Sequence, residues 1–128
     1  MIEYIEKPNS DEEIFNILNP IVRTWFKNKF KTFSDPQKYA IIPIHNKENI
    51  LVSAITGSGK TLTAFLSILN ELINLSEKSK LEDRTYAIYV SPLKALVSDI
   101  NYNLITPLKE MEIQENKNFN IRVGLRTG

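Results

Sequence analysis

The sequence predicts an α/β fold in which helices flank a parallel sheet and a helical segment leads into that sheet. Apolar residues at helical spacing alternate with short apolar runs, in the order helical lead-in, then β-α-β-α-β. The Gly-rich turn Gly57-Ser58-Gly59, followed by Lys60-Thr61, joins the first apolar run directly to a helical pattern. This strand, turn and helix order is typical of an open parallel sheet.

Length and composition fit one globular domain or part of one. The 128 residues are 42% hydrophobic and 24% charged, which argues against disorder. The net charge of +1 gives no global field that favours nucleic acid or a membrane, although a local basic patch would suffice for nucleic acid. The sequence has no cysteine, no signal peptide and no apolar run long enough for a membrane span. We therefore expect a cytoplasmic protein without membrane contact.

Residues 1–33 are predicted to form the helical lead-in. Ser10 and Glu13 have the spacing of a capping box, and Pro20 is predicted to begin a second short helix. The lead-in ends in an aromatic stretch interleaved with lysines, namely Trp25, Phe26, Phe30 and Phe33 with Lys27, Lys29 and Lys31. Such a stretch can bind single strands by stacking. We favour the alternative that the rings pack on the domain and the lysines face water.

Residues 34–128 are predicted to carry the sheet. Ser34-Asp35-Pro36 is typical of a helix start, with Pro36 as the first helical residue and Gln37 in the first turn. Pro43 is predicted to kink this helix, and Pro107 to interrupt the last one. The predicted elements are helices over about 36–46, 60–75 and 93–111, strands over 50–52, 85–90 and 120–125, and a polar loop over 112–118.

The segment from Ala54 to Thr61 predicts a phosphate-binding loop. The glycines allow a tight turn that aims several backbone N–H groups at one point, and the following helix adds its positive dipole end. Lys60 would neutralise phosphate oxygens and the Thr61 hydroxyl would ligate Mg²⁺. Ala54 stands where the general pattern has glycine. The alternative is an ordinary Gly-Ser-Gly turn between a strand and a helix.

Three segments in this order resemble motifs of superfamily 2 helicases of the DEAD/DEAH-box type. Ala54–Thr61, reading AITGSGKT, resembles motif I, which often has alanine in place of the first glycine. Tyr89–Leu96, reading YVSPLKAL, resembles motif Ia, and Gln37 is placed like the glutamine of the Q motif. A Trp-Phe pair before Gln37 and a final Arg-Thr-Gly make the sequence most similar to the large helicase-related, or Lhr-type, proteins over roughly residues 20–128.

The resemblance implies a fold and a set of site residues. Residues 34–128 would be the N-terminal part of a RecA-like helicase ATP-binding domain, a truncated P-loop NTPase sheet. It implies ATP binding by Thr56, Gly57, Ser58, Gly59, Lys60 and Thr61, with Mg²⁺ on Thr61 and adenine read by Gln37. It implies contact with a nucleic-acid backbone, DNA in preference to RNA, by Ser91, Pro92, Lys94, Ala95, Arg126 and Thr127. The alternative for Gln37 is a solvated first-turn residue.

Parts of the family's machinery do not occur in this sequence. There is no Asp-Glu-x-His/Asp box and no second motor domain with its arginine finger, which phosphoryl transfer to water needs. In the family fold, later strands separate the three strands predicted here, so these would lack neighbours. We therefore expect a truncated reading frame, a split-gene product or an excised piece, whose partner could be the remainder of the helicase as a separate chain.

The resulting hypothesis is the N-terminal fragment of an ATP-dependent nucleic-acid helicase or translocase, inactive alone. Two alternatives stay open. One is a nucleotide-binding module that does not hydrolyse ATP and serves partner interaction. The other is a small P-loop kinase, which we disfavour because the four arginines are scattered.

Overall fold

The computed structural model describes residues 1–55 and 59–127, and all regular structure in these ranges is helical. None of the helices in the described ranges is long and apolar enough to cross a membrane. In chain order the elements are α1 (Asp11–Ile17), α2 (Pro20–Lys29), α3 (Asp35–His45), α4 (Lys60–Glu77), α5 (Leu93–Ile100), a π-helical segment (Asn101–Ile105) and α6 (Thr106–Glu115).

The first three helices begin at, or within one residue of, the positions that their capping residues predict. The Glu13 N–H donates to Ser10 Oγ and the Ser10 N–H donates to Glu13 Oε1, both at 3.1 Å, which confirms the capping box. Pro20 is the first residue of α2, as predicted. Helix α3 begins at Asp35, one residue earlier than predicted, because the Ser34 N–H is capped by Gln37.

The C-terminal helix continues past Pro107, against the prediction that this proline interrupts it. The π-helical segment lies directly before Pro107, and the Thr106 N–H donates to the Asn101 carbonyl five residues back. This wider turn shifts the hydrogen-bond register just before a residue that has no N–H to donate. Helix α6 ends at Asn116, which adopts a left-handed conformation with φ 50°. The loop predicted over 112–118 is therefore wrong for residues 112–115.

The predicted parallel sheet is not confirmed. None of the segments 50–52, 85–90 and 120–125 forms a strand in the part of the chain that the structure describes. Several of their apolar side chains stay in solvent, with Leu51 at 93%, Ile88 at 83% and Val90 at 87% exposure. A strand needs a neighbour to satisfy its N–H and C=O groups. These segments do not pair with one another, as expected if other strands separate them in the complete sheet.

Helix α4 is the centre of the hydrophobic core. Its residues Phe65, Leu66, Leu69 and Ile73 are at most 2% exposed. They belong to the same cluster as Ile14, Val22, Phe26 and Ile41 from α1, α2 and α3, and Leu108, Met111 and Phe119 from the C-terminal part. The lead-in helices therefore pack directly on the helix that follows the Gly-rich turn.

The aromatic stretch at the end of the lead-in packs into this core. Trp25, Phe26 and Phe33 are buried, and the rings of Phe26 and Phe33 stack with centroids 4.2 Å apart. The neighbouring lysines are exposed. Among the rings, Phe30 is the exception, at 43% exposure. The packing interpretation is thus confirmed for Trp25, Phe26 and Phe33.

A buried polar connection joins the lead-in to α4. Asn70 is fully buried, and its Oδ1 accepts from the backbone N–H of Asn19 at 2.6 Å. The Asn19 side chain donates to Asn74 Oδ1 and to Glu77 Oε1, both at 2.7 Å. These bonds fix the start of α2 against the second half of α4.

We expect Asn70→Ala to lower the free energy of unfolding by about 1–3 kcal/mol, because it leaves the buried Asn19 N–H without its acceptor. Chemical denaturation followed by circular dichroism measures the loss. Asn28→Ala, at an exposed position of α2, is the matched control and should be close to neutral. Equal stability of the two variants would show that this polar connection does not contribute to the free energy of unfolding.

Candidate functional site

Gln37 from α3 lies against Gly59 at the start of α4. Its side chain is only 5% exposed. The Gln37 Oε1 accepts from the Ser34 N–H at 2.9 Å, and Nε2 donates to the Gly59 carbonyl over a long 3.5 Å. The solvated alternative for Gln37 is therefore wrong in this structure. The Q-motif-like residue and Gly59, which are 22 residues apart in sequence, are therefore in contact.

Gly59 has a backbone that side chains disfavour. Its φ is +88°, and a Cβ added there would lie 2.6 Å from Gln37 Nε2 and 3.2 Å from Ser34 Oγ. The position thus requires glycine both for conformation and for space. The residues before it, Thr56, Gly57 and Ser58, lie outside the described residues.

We expect Gly59→Ala to lower the free energy of unfolding by about 1–3 kcal/mol through backbone strain, and to displace Gln37. Thermal and chemical denaturation measure the loss. Gly124→Ala is the control, because a Cβ at Gly124 meets nothing within 4 Å. Equal stability of Gly59→Ala and Gly124→Ala would show that alanine at position 59 causes no backbone strain.

The Lys60 side chain extends back toward Ala54. Its Nζ donates to the Ala54 carbonyl at 2.6 Å while the side chain remains exposed. The first helical hydrogen bond of α4 runs from the Thr63 N–H to the Gly59 carbonyl at 3.1 Å, so the N–H groups of residues 60–62 precede the helical ladder. A cation, the N–H groups of the first helical turn and the positive end of an 18-residue helix therefore meet here. These residues fit a triphosphate.

Tyr89 contacts both α4 and α5. Its ring lies against Phe65 of α4, with centroids 4.8 Å apart, and its hydroxyl donates to Asp99 Oδ2 of α5 at 2.8 Å. Burial raises the pKa of Tyr89, so the hydroxyl keeps its proton at neutral pH. The sequence analysis assigned no role to Tyr89 or Asp99. The one sequence feature that could have pointed to Tyr89 is its position two residues before Ser91-Pro92.

The motif Ia-like residues surround the start of α5. Pro92 is the N-cap of α5, and Lys94 and Ala95 lie in its first turn, with Lys94 exposed. Arg126 and Thr127 lie in an exposed, irregular segment. No hydrogen bond or ion pair between described residues joins that segment to the start of α5. The structure thus places Ser91, Pro92, Lys94 and Ala95 together at the start of α5, and Arg126 and Thr127 in a different segment.

Comparison with known proteins agrees with these motifs. The sequence model of the DEAD/DEAH box helicase family matches residues 34–123. No solved structure gives a significant match.

Curated relatives match almost the whole chain. It is 58% identical to the ATP-dependent helicase Lhr-Core of Methanocaldococcus jannaschii, over 98% of this chain and 16% of the relative. It is 51% identical to ATP-dependent helicase Lhr-Core protein 2 of Thermococcus barophilus, over 99% of this chain and 15% of the relative. It is 35% identical to the Lhr helicase/uracil glycosylase of Escherichia coli, over 96% of this chain and 8% of the relative. The chain thus spans at most 16% of the length of these three relatives, and it belongs to the DEAD/DEAH box helicase family.

Proposed function

We propose that this chain supplies the ATP-binding turn and the first nucleic-acid contact of an Lhr-type helicase or translocase. The observation that carries the proposal is the meeting of Gln37, Gly59 and Lys60 at the N-terminus of α4. The names of the relatives, which are ATP-dependent helicases, support it.

The ATP phosphates would bind between the Gly-rich turn and the first turn of α4. Lys60 would exchange the Ala54 carbonyl for phosphate oxygens, a stronger charge-assisted contact. Thr56, Gly57, Ser58 and Gly59 would complete the cradle, and the Thr61 hydroxyl would hold Mg²⁺, which neutralises phosphate charge.

Gln37 would read the adenine base. Its Nε2 makes a long hydrogen bond of 3.5 Å to the Gly59 carbonyl, which is weak enough for this donor to turn to an acceptor on the base. Its Oε1 would have to share or exchange the Ser34 N–H to accept from the adenine amino group.

A single strand, DNA in preference to RNA, would contact the start of α5. Ser91, Pro92, Lys94 and Ala95 would meet its phosphates with backbone N–H groups and one positive charge, a contact independent of sequence. Arg126 and Thr127 would approach the strand only after rearrangement of residues 120–127.

The sheet of a RecA-like domain is part of the proposal. The exposed apolar side chains of Leu51, Ile88 and Val90 support it, since they lie on segments predicted as strands. Further strands of a helicase motor domain, in the same or a separate chain, would pair with these segments and cover their side chains.

Two titrations of the chain test the proposed function. Calorimetry with Mg-ATP should show one site, and fluorescence anisotropy with labelled oligo(dT) and oligo(rU) should show binding that weakens as salt rises. A chain that folds, by circular dichroism, but binds neither ligand would contradict the proposal.

A further inference from the structure

A groove between the end of α2 and the π-helical segment carries two aromatic rings that the core does not cover. Phe30 is 43% exposed and Tyr102 is 77% exposed, and both line this groove together with Trp25. The Phe30 ring lies edge-on to the ring of Trp25, with centroids 5.9 Å apart. This contact holds Phe30 in place while part of its ring stays in solvent. The groove therefore offers two accessible rings to a ligand.

Tyr102 has no evident structural role. It belongs to the π-helical segment Asn101–Ile105, and π-helical turns are frequent at functional sites. Within residues 1–55 and 59–127, its hydroxyl has no hydrogen-bond partner and its ring contacts no other aromatic ring. Because the fold gains little from a tyrosine at this position, the ring is free to contact a ligand.

The unpaired charges beside the two rings are positive. All four charged residues between positions 20 and 31 are basic. Lys31 follows the first ring directly, and Lys109 of α6 lies about two helical turns beyond the second. Both are exposed, and neither forms an ion pair in the part of the chain that the structure describes. Glu110 accepts from Lys29 Nζ at 2.7 Å, so that negative charge is already compensated. The surface thus favours an anionic ligand.

We propose that Phe30 and Tyr102 form a second contact for single-stranded nucleic acid, in which bases stack on the two rings while Lys31 and Lys109 meet the phosphates. Exposed aromatic rings on a basic surface are the combination that binds single strands without regard to sequence. This contact goes beyond the one at the start of α5, which involves the strand's backbone alone. In a duplex the bases stack on one another, so the groove also gives a preference for single strands.

Two probes of equal charge separate base stacking from phosphate contact. They are labelled oligo(dT) and an abasic oligonucleotide of the same length, and fluorescence anisotropy measures their affinities. Oligo(dT) should bind more tightly than the abasic strand by at least about 5-fold, the lower end of the range for one stacked base. Trp25 is the only tryptophan of the chain and lines the groove. Its fluorescence should therefore change with oligo(dT) and not with the abasic strand.

Variants of the two rings give the sharpest comparison. Tyr102→Ala and Phe30→Leu should each lower oligo(dT) affinity by about 5- to 150-fold and leave the affinity for the abasic strand unchanged. Tyr102→Phe should bind like the wild type, because stacking needs the ring and not the hydroxyl. Tyr4→Ala, at an 88% exposed tyrosine of the N-terminal segment, is the matched control. A melting curve of each variant shows whether the fold is retained.

The outcomes distinguish this inference from the proposed function. Equal affinity of the wild type for the two strands, or a Tyr102→Ala protein that binds oligo(dT) like Tyr4→Ala, overturns the inference and leaves the backbone contact at α5 in place. A change in Trp25 fluorescence with Mg-ATP alone, lost in Phe30→Leu, would assign the groove to the nucleotide and also overturn it. A folded wild-type chain that binds neither strand contradicts both proposals.

Discussion

Replacing Lys60 by alanine is expected to weaken Mg-ATP binding by about 1.5–3 kcal/mol, or roughly 10- to 150-fold. The ammonium group is exposed, and among the residues that the structure describes its hydrogen-bond partner is the neutral Ala54 carbonyl at 2.6 Å, which a phosphate oxygen can replace. A charge-assisted contact with phosphate is stronger than the neutral one it replaces. Isothermal titration calorimetry of the two proteins at equal salt measures the difference.

Lys80→Ala is the matched control for charge. Lys80 is exposed and lies beyond the far end of α4 from the turn, and its backbone bond to Leu75 does not need the side chain. It should bind Mg-ATP like the wild type. If Lys60→Ala and Lys80→Ala bind equally, the Gly-rich turn is an ordinary turn and not a phosphate cradle. A melting curve of each variant separates a binding effect from loss of the fold.

The second large effect concerns turnover. We expect the 128-residue chain to hydrolyse ATP no faster than its Lys60→Ala variant, with or without single-stranded nucleic acid. Its sequence has no Asp-Glu-x-His/Asp box, and in related phosphoryl-transfer enzymes an arginine finger alone contributes about 10³–10⁵ in rate. Binding ATP equally in the ground and transition states does not accelerate the chemical step.

Phosphate release over several hours, with Lys60→Ala in parallel, measures turnover. ATP binding without turnover agrees both with a motor segment and with a nucleotide-binding interaction module. Strand-stimulated release that Lys60→Ala abolishes would show that copies of this chain assemble a complete catalytic site. The incomplete-motor interpretation would then be wrong.

The helices of this fold could be predicted because their signals are local. Ser10 with Glu13 and Pro20 at the start of α2 each set a helix end through neighbouring atoms. The predicted sheet is not confirmed, because the pairing of a strand depends on neighbouring strands and not on its own residues. The sequence analysis did not predict that the helix continues past Pro107, because the hydrogen bonds of a π-helical turn have no recognisable residue pattern.

For the candidate site too, the sequence predicted some features and not others. Lys60 and Gly59 could be identified by their place in a short motif, and Gln37 only by its distance from that motif. Their contact, with Gln37 buried beside Gly59, follows from the packing of α3 on α4. The hydrogen bond from Tyr89 to Asp99 and the packing of Tyr89 on Phe65 depend on how the 85–90 segment lies against α4 and α5. Only the folded chain reveals them.

The most direct test of the central claim is the amide NMR spectrum of the isotope-labelled chain during titration with Mg-ATP. The account predicts that the largest shifts occur at Ala54, Gly59, Lys60 and Thr61, and that Lys60→Ala suppresses them. Shifts concentrated instead in the groove between α3 and α4, around Ile44, Ser67 and Glu71, would contradict it, as would shifts that survive unchanged in Lys60→Ala.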